Sequence, residues 1–389
     1  MWLVHIRKRQ MRKLSVLVLV KRREPGLLSI TDSMEKSFIP LIGEVRIIDL
    51  YLGPLSFLGI RGATVVMDNE TTEARDYLLY KYNAQRIKVQ NDRDLGRSLG
   101  GLLKSRRNDS LLILRADGAL IADWEGLIGE MSRLGDKNCA IVAAGGERIG
   151  YFLGRGAEAL TLIGHHPSSG VDGVWDSLEE KLGAKTGPFT LESRFFGLRT
   201  AYEYYAFQMA MMKEIEMFSG VLSSIPSVDI EKENFAQVED TGFVKDSYIS
   251  SSCLVEGYVE HSVLFPHVRV GRNAKVVNSV VMNNNYIGEG AVVQSTILCT
   301  TSQLAKVTPN VGAKARIGED DSTGANYIHP KYIFNGITLI GENVEIPQGF
   351  RVARNCYIPT GTDKALFRGK DRIKAGDSMT DGHKSTVQK

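Results

Sequence analysis

Cysteine is scarce and scattered in this chain of 389 residues. There are four, Cys139, Cys253, Cys299 and Cys356, with no CxxC pair among them. That excludes a zinc ribbon or a disulfide framework and fits reduced core thiols of a cytoplasmic protein. Long hydrophobic runs are missing too. Leu14–Val20 spans seven residues and is followed by Lys21-Arg22-Arg23, so it is too short to cross a membrane. Those basic residues also stand where a signal peptide needs small ones. Strong charge of one sign is absent: 48 Lys and Arg against 45 Asp and Glu leave +3, which argues against nucleic acid as a partner. The excess is local, because residues 1–26 hold eight Lys or Arg and one acid.

What is present is enough apolar material, 43% of residues, for two domains with cores of their own. Residues 1–10 precede a second methionine, Met11, and read as an upstream extension. Over 11–218 apolar strand-like runs alternate with helical stretches. Leu14–Val20, Ala63–Met67, Ser110–Leu114 and Ala140–Ala144 read as buried strands. Asp94–Arg106 has the spacing of an amphipathic helix, with Leu95, Leu99, Leu102 and Leu103 on one face. Leu50–Ile60 reads as another helix, closed by Gly59. This order predicts a doubly wound, Rossmann-like α/β domain whose ligand sits beyond the carboxyl ends of the strands. Its last helix, Ala201–Phe218, is rich in aromatic residues and Met, which read as core packing. Residues 219–245 lose periodicity and read as a linker.

Over 246–362 the period becomes six. Leu264, Val270, Val276 and Met282 fall six apart, as do Ile287, Val293 and Cys299, then Val311 and Ile317. Ile328, Phe334, Ile340, Ile346, Val352 and Ile358 continue the step. Neither a helix nor a plain strand yields six. A parallel β-helix does, because each short strand sends one apolar residue inward before the chain turns. The expectation is a left-handed parallel β-helix of hexapeptide repeats. Residues 363–389 are polar and non-periodic and read as a tail.

One segment resembles a known family. From Glu35 to Ile60, the residues Lys36, Pro40, Gly43, Arg46, Ile47, Ile48, Asp49, Leu52, Gly59 and Ile60 match a segment of glucose-1-phosphate adenylyltransferases without a gap. Residues 253–298 resemble that family's β-helix. The resemblance implies a nucleotidyltransferase-like first domain acting on ATP and glucose 1-phosphate with Mg²⁺. It also implies a Gly-rich phosphate loop after the first strand, where only glycine lets the main chain approach an anion closely. Here that loop reads Lys21-Arg22-Arg23-Glu24-Pro25-Gly26-Leu27, in which Glu24 repels phosphate and Pro25 removes a donor.

Asp117, after Leu111–Ala116, resembles the family's metal-binding carboxylate, and Asp123-Trp124 falls at a matching Asp-aromatic pair. With Arg115 beside it, Asp117 reads better as a cap for the next helix. The stretch Arg194–Thr200 lacks the family's second acid, and no Glu-Lys-Pro triplet holds the sugar phosphate. Around its expected place, His165-His166 reads as a solvated loop rather than a metal pair.

The combination resembles the non-catalytic, regulatory subunit of the bacterial family. It implies glycogen synthesis, a homo- or hetero-oligomer (a tetramer) with a catalytic subunit, and no membrane partner. Residual catalytic candidates are Asp117 and Lys36. Lys36 and Arg46 resemble positions for a phosphorylated sugar effector, with Arg22 and Arg23 adding charge, and a solvated basic loop is the other reading. Two alternatives stay open. An active adenylyltransferase would use Mg²⁺ and a rebuilt loop. A hexapeptide acyltransferase would need a catalytic histidine from among His261, His267 and His329.

Overall fold

The structure, a computed structural model, describes residues 14–21, 23–43, 45–60, 63–67, 72–82, 88–91, 104, 109–154, 170–226, 235–301, 308–320, 322 and 324–379. Its first half is built on a seven-stranded sheet. The elements in order are β1 (Leu14–Val20), α1 (Asp49–Phe57), β2 (Thr64–Met67), α2 (Thr72–Tyr82), β3 (Lys88–Asn91), β4 (Ser110–Ala116), β5 (Ala119–Ala122), α3 (Trp124–Leu134), β6 (Cys139–Ala143), β7 (Arg148–Leu153), α4 (Gly170–Leu182), β8 (Gly187–Leu191), β9 (Ser193–Phe196), α5 (Ala201–Lys213) and α6 (Ile215–Leu222). The sheet order is β3-β2-β1-β4-β7-β6-β8, and β5 pairs with β9 apart from it.

Both faces of the central strands of this sheet are buried, and the strand alternation shows how. Val16, Val18 and Val20 of β1 join one apolar cluster together with α1, while Leu17 and Leu19 join another with Val174, Trp175 and Leu178 of α4. The four strands expected from the sequence are present as β1, β2, β4 and β6. The sheet is not wholly parallel, however, because β7 runs antiparallel to both β4 and β6. Apart from Lys104, the expected helix Asp94–Arg106 lies outside the described residues.

Helix α1 ends as its glycine dictates. Gly59 takes φ +77°, and the N–H groups of Gly59 and Ile60 return to Ser56 O and Leu55 O, the paired closure of a Schellman motif. Inside α1, a Cβ on Gly53 would stand 2.8 Å from Ile225 Cγ1, so this glycine lets the end of α6 approach. The expected single helix Ala201–Phe218 is two. Glu214, at φ −114° and ψ 33°, breaks α5 from α6.

Beyond 235 the chain winds into a parallel β-helix with three sheet faces. On one face Val244, Val259, Val276, Val293, Ile317, Val352 and Ile373 stack in register from coil to coil. On a second face the stack is Ile249, Leu264, Val281, Leu298, Ile340 and Ile358. Corners are taken by residues that tolerate left-handed backbone, among them Asn273, Asn278, Asn284 and Asn355.

Three expectations change here. The stretch 219–245, expected as a linker, contains the end of α6 and the strands Gln237–Val238 and Phe243–Lys245 of the first coil. The stretch expected as a tail contains the short helix Lys364–Phe367 and the strand Arg372–Ile373, which pairs with Arg351–Val352. Ile328 and Phe334 kept the six-residue step in sequence but do not stack inside. They sit in an excursion between Ile317 and Thr338, where Ile328 is 50% exposed and Phe334 packs on Tyr202 of α5 at 4.4 Å between ring centroids.

The two halves share a core. Val263, Val280, Ile297 and Leu339 point outward from the second face, alternating with its inward residues, and join the cluster that includes Phe38, Ile47, Leu50, Tyr204 and Phe207. Polar contacts edge this seam: Tyr205 Oη donates to Asn278 O at 2.7 Å, and Ser33 Oγ donates to Glu342 Oε1 at 2.6 Å.

Candidate functional site

The loop after β1 is where an anion cradle would sit, and its sequence folds it differently. Pro25 opens two short 3-10 turns over Pro25–Thr31, kinked at Leu28, with Leu27, Ser29 and Ile30 buried in the seam between the halves. A Cβ on Gly26 would stand 2.2 Å from Arg199 O, so this glycine serves backbone packing. Ser29 Oγ lies 2.8 Å from Tyr357 Oη and accepts from Thr360 N at 3.1 Å, both on the β-helix. The loop is a wedge in the domain interface.

Beside it, Lys36 is completely buried. Its Nζ donates to Asp117 Oδ1 at 2.8 Å, to Gly197 O at 2.8 Å and to Glu24 Oε2 at 3.3 Å. All three donors of the ammonium are used. Asp117 Oδ2 is in turn 3.4 Å from Arg115 Nε, and Arg115 Nη2 donates to Asp172 Oδ1 at 2.9 Å. Asp172 also receives Lys21 Nζ at 3.3 Å. Lys21, Lys36 and Arg115 are thus met by Glu24, Asp117 and Asp172, three cations by three acids, at the carboxyl ends of β1 and β4. The Tyr51 hydroxyl, donating to Gly118 O at 3.0 Å, is pushed above its ordinary pKa by burial and then by the Asp117 charge.

A 260 Å³ cavity opens next to this network, lined by Arg115, Asp117, Glu147, Arg148, Trp175, Glu179 and Phe195. Its remaining charges are paired as well: Arg199 Nη2 donates to Glu147 at 2.6 Å, and Arg148 pairs with Glu179. These residues do not fit a divalent ion, because both oxygens of Asp117 already face cations and Glu24 is held on Lys36.

The expected roles are redistributed. Asp117 does not cap the next helix. Asp123 does, accepting from Gly126 N at 2.9 Å, while Asp117 is an ion-pair partner. Arg194–Thr200 supplies Gly197 O to Lys36 and Thr200 as the cap of α5. Asp172, which joins Lys21 to Arg115, carried no signal in the sequence, since 57 residues separate it from Arg115.

Among the described residues, the basic side chains expected to form one cluster do not share a partner. Arg46 lies over the Tyr77 ring, 4.2 Å from its centroid, with Nη2 3.2 Å from Glu73. Arg23 Nη2 donates to Asp32 O at 3.5 Å. Arg22 and the pair His165-His166 lie outside the described residues.

Asp49 of the matched segment is structural. Fully buried, it accepts from Arg46 N, Lys81 Nζ and the hydroxyls of Tyr77 and Tyr82. Of the three histidines, His261 pairs with Asp246 at 3.4 Å, and His267 occupies a left-handed corner. His329 stacks on Tyr332 and meets Tyr357 edge-on, and burial lowers its pKa. No helix among the described residues is long and apolar enough to cross a membrane.

A Rossmann-like sheet fused to a hexapeptide β-helix defines a class, and the comparisons with known proteins narrow it. Residues 231–340 match the family model of the GlmU-like C-terminal hexapeptide. Three relatives bear the name glucose-1-phosphate adenylyltransferase. That of Acetivibrio thermocellus is 36% identical over 30% of this chain and 26% of its own length. That of Frankia casuarinae is 32% identical over 32% of this chain and 29% of its own length. That of Pseudothermotoga lettingae is 33% identical over 35% of this chain and 30% of its own length. The chain thus matches less than a third of the length of each of these relatives. The matched part of the chain is similar to glucose-1-phosphate adenylyltransferases and to the GlmU-like hexapeptide domain.

Proposed function

We propose that this protein is a glucose-1-phosphate adenylyltransferase-like subunit of glycogen synthesis that does not itself turn over ATP and glucose 1-phosphate. It acts by assembling with a catalytic subunit in a hetero-oligomer and changing that partner's response. One observation carries the reading: the buried Lys36 ammonium is saturated by Asp117, Glu24 and Gly197 O. Transfer of a nucleotidyl group needs unpaired positive charge and donors aimed at phosphate. Here Lys21, Lys36 and Arg115 already have acidic partners, and the loop that would bring main-chain donors is packed against the β-helix. The buried, free thiols support a reducing, cytoplasmic setting.

The chain is to be purified alone and together with a catalytic subunit, and diphosphate release followed from ATP, glucose 1-phosphate and Mg²⁺. The expected result is no release by the chain alone, with a mixed oligomer whose effector response differs from that of the catalytic subunit by itself. Turnover by the isolated chain would return it to the active enzymes. Failure to associate with the catalytic subunit would remove the regulatory role.

A further inference from the structure

The last coils of the β-helix carry a separate electrostatic feature, on a different face from the one packed against the α/β half. Arg316, Arg351 and Arg372 are in register on adjacent parallel strands. Each precedes an inward residue, Ile317, Val352 or Ile373, so strand alternation sends all three arginines outward, and all three are exposed. Adjacent strands are about 4.8 Å apart, so three guanidinium stems stand in one column. Like charges placed directly opposite one another destabilise a sheet, and nothing in the repeat demands arginine at this position. Val292 holds the corresponding place one coil earlier, in register with Arg316.

The column lines a concavity of 550 Å³, with Lys374 beside Arg372 and with Glu319, Asp320 and Ser322 along its rim. The acids neutralise it only at Arg316. Glu319 pairs with Arg316. Asp320 is committed to the main chain, accepting from Ser322 N and Arg354 N at 2.9 Å each. Among the described residues, Arg351, Arg372 and Lys374 have no acidic side-chain partner.

Three unpaired cations exceed the charge of one phosphate monoester, which is about −2 at most. Arginine forks match phosphoryl oxygens two at a time, and the volume is that of a small-molecule site. We propose that this column binds a small oligophosphate, an anion with two or more linked phosphoryl groups. Arg351, Arg372 and Lys374 supply the charge, and Glu319 competes for Arg316. The site does not depend on whether the α/β half is catalytic.

The test is calorimetric titration of the full chain with inorganic tripolyphosphate, with orthophosphate as the control. Arg351→Gln/Arg372→Gln should weaken tripolyphosphate about tenfold or more. Glu319→Gln, which frees Arg316, should tighten it. Both variants alter exposed residues, and their thermal midpoints are to be checked against the native chain. A nucleoside triphosphate, counting only the binding that the double variant loses, distinguishes the source. Binding equal to tripolyphosphate assigns a nucleotide's phosphate chain, and weaker binding assigns an inorganic one. No binding of tripolyphosphate, equal binding in the double variant, or orthophosphate bound equally well would overturn the proposal.

Discussion

Lys36 Nζ stands 2.8 Å from Asp117 Oδ1 across 81 residues of chain, with the lysine side chain wholly buried and the aspartate one-fifth exposed. A buried ammonium is tolerated only while its partners remain, because removing one side of such a pair leaves the other charge unpaired in a poor solvent for it. Lys36→Met should therefore cost roughly 3 kcal/mol in urea unfolding. Adding Glu24→Gln and Asp117→Asn to the same chain should recover a good part of that loss, because the charges stranded by the first change are then gone. A loss that stays the same in the triple variant would show that packing, not charge, fixes Lys36.

The matched segment makes a second prediction. Asp49 holds together α1, α2 and the turn at Arg46 through its four donors, and Lys81, 4% exposed, depends on it for charge. Asp49→Asn should destabilise the chain by about 3 kcal/mol while leaving the β-helix folded. Hydrogen exchange resolved by region is the suitable measurement, with protection lost around 45–82 and kept beyond 235.

Ser29 tests whether the loop after β1 really is a wedge. Ser29→Ala removes the partner of both Tyr357 Oη and Thr360 N, a cost of about 1–2 kcal/mol. Because these contacts join the two halves, the loss should appear as a broadened or split thermal transition. A simple downward shift of one sharp transition would instead place Ser29 within a single cooperative unit.

Glu342 gives a pH dependence with a definite sign. Burial raises its carboxyl pKa above 4.5, although the hydrogen bond from Ser33 works the other way, and the Asp32 and Glu73 charges add to the rise. A group whose folded pKa is raised contributes stability that is present below its unfolded pKa and lost as pH rises through the folded value. Native stability should thus carry a penalty at pH 7 that is absent near pH 4. Glu342→Gln should raise the thermal midpoint at pH 7 and change it little at pH 4. An equal shift at both values would contradict the assignment.

How far the sequence could be read depended on whether a constraint was local. Val259, Val276 and Val293 recur because each coil must put one apolar residue inward, so the β-helix is visible without contacts. Strand β1 is visible for a similar reason, since both of its faces are buried. Ile328 and Phe334 kept the count of six by coincidence of spacing, and only the excursion between Ile317 and Thr338 shows that Phe334 serves the domain seam while Ile328 is half exposed. The charge network was least legible. Glu24 and Arg115 looked like flaws in a phosphate site, but their meaning lies in Lys36 and Asp172, which the fold brings to them from 12 and 57 residues away.

Equilibrium titration of the isolated chain with Mg²⁺ and ATP, read by calorimetry, tests the internal neutralisation of this pocket most directly, provided Arg351→Gln/Arg372→Gln is titrated alongside to subtract any site on the β-helix. No saturable binding should survive in that variant up to about 1 mM, the upper end of ordinary enzyme substrate constants. Binding in the variant at or below about 0.1 mM would contradict it, because the Lys36 network would then have to open and give its donors to phosphate.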